Sequence, residues 1–339
     1  MDATAALTEI AFWLERDLAP VFKVRAFRSA AATIADLSPD ELAARADDGR
    51  LKDTKGIGGR TFEVIRQAID GEVPDYLADL RAKGAVPLAE GGEALLAQLR
   101  GDLHSHSEWS DGTTPITDMV ATARSLGRDY LALTDHSPNL KVANGLTAER
   151  LTKQLDVVAD VNAASDGFTL LAGIEVDILE DGALDQTDAM LERLDVVVAS
   201  AHSKLKMESE QMTERMIRAI RHPQSNVLGH VTGRLVQGPR GTRGESTFDA
   251  RAVFEACAEE GVAVEINSRP ERRDPPSRLI QLALDAGCLF SIDTDAHAPG
   301  QLDFLDYGAQ RAEAAGIDPE RIVNTWPMDR LLTWANGKF

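Results

Sequence analysis

Leu7, Ile10, Ala11 and Leu14 fall three and four residues apart, the spacing that gathers apolar side chains on one side of a helix. The next segment, AFRSAAATIADL, is rich in alanine and predicts another helix. Ser38-Pro39-Asp40-Glu41 is a helix start, with Ser38 as cap and Pro39 at the first position. LKDTKGIGGRTFEVIRQAIDG then predicts a glycine-rich turn between two helices. Residues 1–83 therefore predict a small all-α domain. Residues 84–100, GAVPLAEGGEALLAQLR, predict a linker with glycine and proline that closes in a short helix.

From Gly101 the period changes. GDLHSHS, DYLALTDH, FTLLAGIEVDI, LDVVVASAHS, NVLGHVTG, VAVEINSR and LFSIDTDAH are short runs rich in β-branched and apolar residues. Helical segments such as 116–126, 148–164 and 212–221 separate them. Seven β-α alternations predict an α/β fold over 101–339, a parallel sheet closed into a TIM-like (β/α)7 barrel. An open doubly wound sheet is the alternative. No GxGxxG follows the first strand, which argues against dinucleotide binding.

The strand ends carry the chemistry. The stretch GDLHSHSEWSDG places His104 and His106 two residues apart, on one face of a strand, with Asp111 in the loop beyond. Later strands end in His136, carry Glu175, end in His202 and His230, and close with Asp295 and His297. Six of the seven histidines lie at strand ends; the seventh, His222, is expected at the end of a helix. Each strand-end histidine could merely cap its own loop. In a barrel, however, these ends converge on one mouth. Nitrogen and oxygen donors without cysteine suit Zn, Mn or Fe(II). Nine such groups exceed what one ion takes, so two or three divalent ions are expected. Such a mouth favours phosphate-ester hydrolysis, because metal ions activate water and hold phosphoryl oxygens. Arg234 and Arg269, each just past a strand end, are candidate phosphate forks, and Lys204 is a further candidate.

Composition narrows the setting. The chain of 339 residues is 43% hydrophobic and 27% charged, with ample material for a core. Its net charge of −19 argues against a general nucleic-acid coat, though not against a local contact. No apolar run is long enough for a membrane span. The acidic N-terminal segment lacks the features of a secretory signal, and Cys257 and Cys288 read as buried free thiols, so a cytoplasmic location is expected.

HSHSEWSDG, TDH, GIEVDI, SAHS, GHVTGR, EINSRPERRD and DTDAH, in this order, resemble the PHP (polymerase and histidinol phosphatase) family over 101–339. The resemblance implies a distorted seven-stranded barrel with a trinuclear metal centre and phosphoesterase chemistry. It implies metal ligands at His104, His106, Asp111, His136, Glu175, His202, His230, Asp295 and His297. Position 111 is aspartate where some members have histidine, and both ligate. LDVVVASAHSKL, MTERMIRAI and VLGHVTGRL look closest to the C-terminal domain of bacterial family X DNA polymerases. FKVRAFRSAAATIADL and GRLKDTKGIGGRTFEVI resemble the helical domain that opens those enzymes. There, a helix-hairpin-helix turn contacts DNA phosphate, a role that would fall on Gly56, Gly58, Gly59 and Arg60.

Two departures qualify the resemblance. Only the short linker lies where the polymerase palm and fingers would be, so no polymerase activity is expected. The lyase lysine of competent relatives aligns with Val64, which cannot form a Schiff base. The reading is a phosphoesterase at DNA 3′ ends, a 3′ phosphatase or 3′–5′ exonuclease. The alternatives are a small-molecule phosphatase of the histidinol-phosphate type and a non-catalytic DNA-end binding module.

Overall fold

The computed structural model describes residues 1–238 and 241–337, so the last two positions of the expected barrel domain lie outside the described residues. The chain divides into two compact units, Met1–Pro87 and Leu88–Phe339.

The first unit has five helices: α1 (Ala3–Arg16), α2 (Val21–Ile34), α3 (Pro39–Asp47), α4 (Gly59–Ile69) and α5 (Asp75–Gly84). The apolar spacing read from α1 is the face it buries: Leu7, Ile10, Ala11 and Leu14 pack with Phe27, Ile34, Leu51, Ile65 and Leu77 in one core. Ser38 caps α3, its Oγ accepting from Glu41 N at 3.2 Å. In the GIGG turn, Gly56 takes φ +97°, a left-handed conformation that favours glycine. Gly58 caps α4, Thr61 Oγ1 accepts from its N–H at 2.9 Å, and the space beside Gly58 and Gly59 is open. Val64 belongs to the core of this unit.

The second unit is an α/β barrel. It starts with a one-turn helix α6 (Glu93–Leu96), then β1 (Gly101–Ser105), α7 (Ile116–Ser125), β2 (Tyr130–Leu133), α8 (Ala148–Ala163), β3 (Thr169–Asp177) and α9 (Asp188–Leu191). There follow β4 (Val196–Ser200), α10 (Ser209–Ile220), β5 (Val227–Leu228), α11 (Ala250–Glu260), β6 (Ala263–Asn267), α12 (Ser277–Asp285), β7 (Phe290–Asp293), α13 (Leu305–Ala314) and α14 (Met328–Gly337). The seven strands pair in sequence order, every pair parallel. The seam between β1 and β7 is closed by a bridge of Ser105 with Ala296. Below it, Asp293 accepts from Leu103 N at 2.8 Å and Asn324 Nδ2 at 2.9 Å. The predicted TIM-like barrel is what forms, and the seam, held partly by side chains, is its distortion.

Residues 88–100, read as linker, belong to this unit. Leu88 N donates to Asp306, Gly92 N donates to Glu313 at 2.7 Å, and Arg100 N donates to Asn324 O. Gly92 has φ +86°, and a Cβ there would lie 2.4 Å from Gln310 N. β5 is shorter than its sequence run suggests. A Cβ at Gly229 would meet Ser200 Oγ at 2.3 Å, and His230 leaves extended geometry with φ +21°. Among the described residues, no helix is long and apolar enough to cross a membrane.

Candidate metal centre

Alternation along the strands creates a polarity gradient inside the barrel. Residues two apart share a face, so β3 presents Leu171, Gly173, Glu175 and Asp177 in order, and β6 presents Ala263, Glu265 and Asn267. Leu171 and Ala263 join Val196, Val198, Val227 and Trp334 in an apolar layer. One step toward the carboxyl ends, the same face turns acidic and basic.

Glu175 stands at the middle of the resulting cluster. Its Oε2 lies 3.3 Å from His104 Nε2, 3.5 Å from His106 Nε2 and 2.9 Å from His136 Nδ1. Its Oε1 lies 3.1 Å from His202 Nε2 and 2.8 Å from His230 Nε2. A second focus is Asp111, 3.4 Å from His136 and 3.2 Å from His297. Asp295 reaches His106 at 3.4 Å. All nine groups singled out from the sequence are thus brought together. Among the described residues, three groupings have donor atoms close enough for one ion: His106, Asp111, His136 and His297; His104, His106 and Glu175; His136, Glu175 and His202.

The donor set fits divalent cations. His104 Nε2, both ring nitrogens of His106 and His202, and Glu175 Oε2 are buried without a hydrogen-bond partner. Each such atom costs about 1–3 kcal/mol unless something satisfies it, and nitrogen lone pairs around a carboxylate suit a metal ion. Burial opposes ionisation of Glu175, but His202, His104 and His136 hold its carboxyl well below the usual range. Burial, with His297 and His136, pushes His106 well below the ordinary imidazole value, toward the neutral form that ligates.

The other sequence candidates are placed unequally. Arg269 is buried, and its Nη1 donates to Asp295 O at 3.1 Å and lies 3.0 Å from His297 Nδ1. Arg234 donates to the carbonyls of Arg272 and Arg273. The exposed ammonium of Lys204 lies 3.5 Å from Glu180. Arg60 pairs with Glu63 at 3.0 Å and lies over the Tyr76 ring. His222 follows α10, as expected, 3.3 Å from Asp188.

Three residues of the site escaped the sequence reading. Glu265, wholly buried, bonds His104 Nδ1 at 2.6 Å and accepts from His230 N at 2.5 Å. Asp177 accepts from His202 N at 3.1 Å. Arg272, buried, donates to Asp295 Oδ2 at 2.9 Å. The one signal that could have found Glu265 and Asp177 is an acid on the inward-facing parity of an apolar strand. Arg272 carries no such signal in the charged run PERRD. Carboxylates that orient ligating imidazoles typically change metal affinity about 10–100-fold when lost. Glu265→Gln is expected to weaken metal binding by that factor, measured by chelator competition. Wild-type affinity in a folded variant would remove Glu265 from this role.

The fold and the cluster define an α/β barrel built to hold metal at its strand ends. Residues 102–269 match the PHP domain. It is 37% identical over 229 residues to the DNA polymerase/3′-5′ exonuclease PolX of Bacillus subtilis, covering 68% of this chain but 40% of that protein. The chain thus spans about two fifths of the length of that relative. It is 27% identical over 250 residues to the "Probable phosphatase YcdX" of Escherichia coli K12, covering 70% of this chain and 94% of the relative. A crystal structure of the Lactococcus lactis histidinol phosphate phosphatase, complexed with zinc, L-histidinol and phosphate, superposes with a TM-score of 0.46. It is 17% identical and covers 65% of this chain and 95% of its own.

Proposed function

We propose that this chain is a metal-dependent phosphoesterase acting at DNA 3′ ends, as a 3′ phosphatase or 3′–5′ exonuclease, without polymerase activity. The observation that carries the hydrolytic part is the gathering of nine His, Asp and Glu side chains around Glu175. His104, His106, Asp111, His136, Glu175, His202, His230, Asp295 and His297 would hold two or three ions, Zn, Mn or Fe. When bound, such ions supply the Lewis acidity that makes water nucleophilic near neutral pH and neutralises phosphoryl charge. Arg269, whose Nη1 lies 3.0 Å from His297 Nδ1, would orient a phosphoryl oxygen, since a guanidinium matches phosphate geometry. Glu265 would fix the ring of His104, and Asp177 accepts from the backbone N–H of His202.

The DNA part is supported by similarity to PolX and by the first unit. Its GIGG turn leaves Gly58 and Gly59 open to a close approach, at the start of α4, where free N–H groups favour phosphate. Val64, buried in the core, offers no nucleophile for a lyase reaction. The second reading is a small-molecule phosphatase. It is favoured by the "Probable phosphatase YcdX", a relative that this chain covers for 94% of its length.

Removing residues 1–87 separates the two. The cut falls there because residues 88–100 hold the barrel through Asp306, Glu313 and Asn324. Under the DNA reading, turnover of a 3′-phosphorylated oligonucleotide falls at least about tenfold, the scale of a few lost phosphate contacts, while p-nitrophenyl phosphate turnover stays. Equal loss, or no loss, on both substrates after the cut favours the small-ester reading.

A further inference from the structure

Beside the metal cluster, four arginines of the barrel unit, Arg234, Arg269, Arg273 and Arg311, line one cavity of about 740 Å³. In a chain of net charge −19, such a concentration of cations needs a cause. Like charges at close range oppose one another. Arg311 registers this: burial, together with Arg234 and Arg273 and against Asp274, lowers its guanidinium to about 10.

The arrangement serves to present one of the four. Arg234 donates to the carbonyls of Arg272 and Arg273, and Arg311 to those of Asp274 and Pro275. Four successive carbonyls are thus bonded by two guanidinium groups. These bonds hold the loop in which Arg273 takes φ +47°, a conformation that residues with a Cβ rarely adopt. Such strain persists only where the surroundings enforce it. The Arg273 side chain itself is exposed and has no hydrogen-bond or ion-pair partner among the described residues. Arg269 forms the opposite contact: it lines the cavity, its Nε is buried without a hydrogen-bond partner, and its Nη1 touches His297. The cavity and the metal cluster therefore share one side chain as a wall. Carboxylates are present too. Glu271 lies 3.7 Å from Arg269, Glu245 lies 3.5 Å from Arg234, and Glu90 lines the cavity. None of them pairs with Arg273.

We propose that this cavity is a second phosphate subsite, in which Arg273 holds a non-scissile phosphodiester of a polynucleotide while the ester to be cleaved lies at the metal cluster. The inference rests on the phosphoesterase reading above and deepens it. A monoester of a small alcohol has one phosphate and leaves Arg273 without a partner. A nucleic-acid strand brings a phosphate with every nucleotide. Arg234 and Arg311 are positioning residues here, acting on the loop.

The test uses the full, metal-loaded chain and two variants, Arg273→Gln and Arg273→Lys. Binding of a fluorescein-labelled oligothymidylate with phosphorothioate linkages is followed at several salt concentrations. Losing one phosphate contact on a single strand lowers the slope of log K against log salt by about 0.7. Arg273→Gln is expected to show that drop and an affinity about tenfold weaker, the usual scale for a charged hydrogen bond. Arg273→Lys is expected to keep the slope. In parallel, the kcat/KM ratio of a 3′-phosphorylated dinucleotide over thymidine 3′-phosphate should fall about tenfold in Arg273→Gln. An unchanged slope, or an equal fall on both substrates, overturns the subsite. If the wild-type protein cleaves no phosphate ester at all, the phosphoesterase reading fails, and the salt slope still decides whether Arg273 binds phosphate.

Discussion

Glu175→Gln is expected to abolish metal-dependent turnover, lowering kcat/KM by at least about 10³-fold, the scale of several kcal/mol of metal-derived stabilisation. The carboxylate is within 3.5 Å of five imidazoles, and it belongs to two of the three groupings able to hold an ion. Glutamine keeps the volume but replaces an anionic oxygen with an N–H₂ that faces ring nitrogens. Both groupings lose their only carboxylate, since His104, His106, His136 and His202 supply nitrogen alone. Elemental analysis of the purified variant should show a matching loss of bound metal. His222→Gln is the control, because His222 lies after α10, outside the cluster, and should leave metal content and turnover at wild-type values. Wild-type metal content together with wild-type turnover in Glu175→Gln would end the proposal that this cluster is the reaction centre.

Much of this site is legible in the sequence because β-structure has period two and barrels converge. Once the runs ending in His104, His136, Glu175, His202, His230 and Asp295 are read as parallel strands, their ends must meet. What escaped has a physical reason in each case. Glu265 sits in an apolar run where a single acid resembles an ordinary break in hydrophobicity, and its partners His104 and His230 are distant in sequence. Arg234 follows a strand end, but its bonds to the 272–273 carbonyls join segments nearly forty residues apart and are not legible from position alone. Arg272 and Arg273 are neighbours in PERRD with opposite fates, one buried against Asp295 and one exposed in the cavity. Arg273 takes a positive φ, which no spacing rule reports. Residues 84–100 look like a linker because Gly91 and Gly92 read as flexible. Gly92 is required for the opposite reason, since the chain passes too close to α13 for a side chain.

Stripping the metal should destabilise the protein, and by more at higher pH. A ligand present at about 100 times its Kd adds about 2.7 kcal/mol, so two ions add about 5 kcal/mol. At roughly 2–4 °C per kcal/mol for a unit of this size, chelation is expected to lower Tm by about 10–20 °C. The pH dependence follows from what replaces the cations. In the metal-free protein, burial disfavours the His202 imidazolium, but Glu175 and Asp177 outweigh it and raise its pKa to about 9. His104 is shifted in the same sense, with Glu175 and Glu265 overcoming burial. At pH 6.5, protons on these rings partly stand in for metal. A group raised in the folded state stabilises fully below its unfolded value, about 6.5 for histidine, and that contribution is lost as pH rises through the folded value. Raising the pH from 6.5 to 9 therefore weakens the metal-free protein while removing the protons that compete with the ions. The Tm gap between metal-loaded and chelated protein should widen over this window. A gap that narrows or stays constant in thermal scans at pH 6.5, 7.5 and 8.5 would mean that the cations do not occupy the places these protons hold.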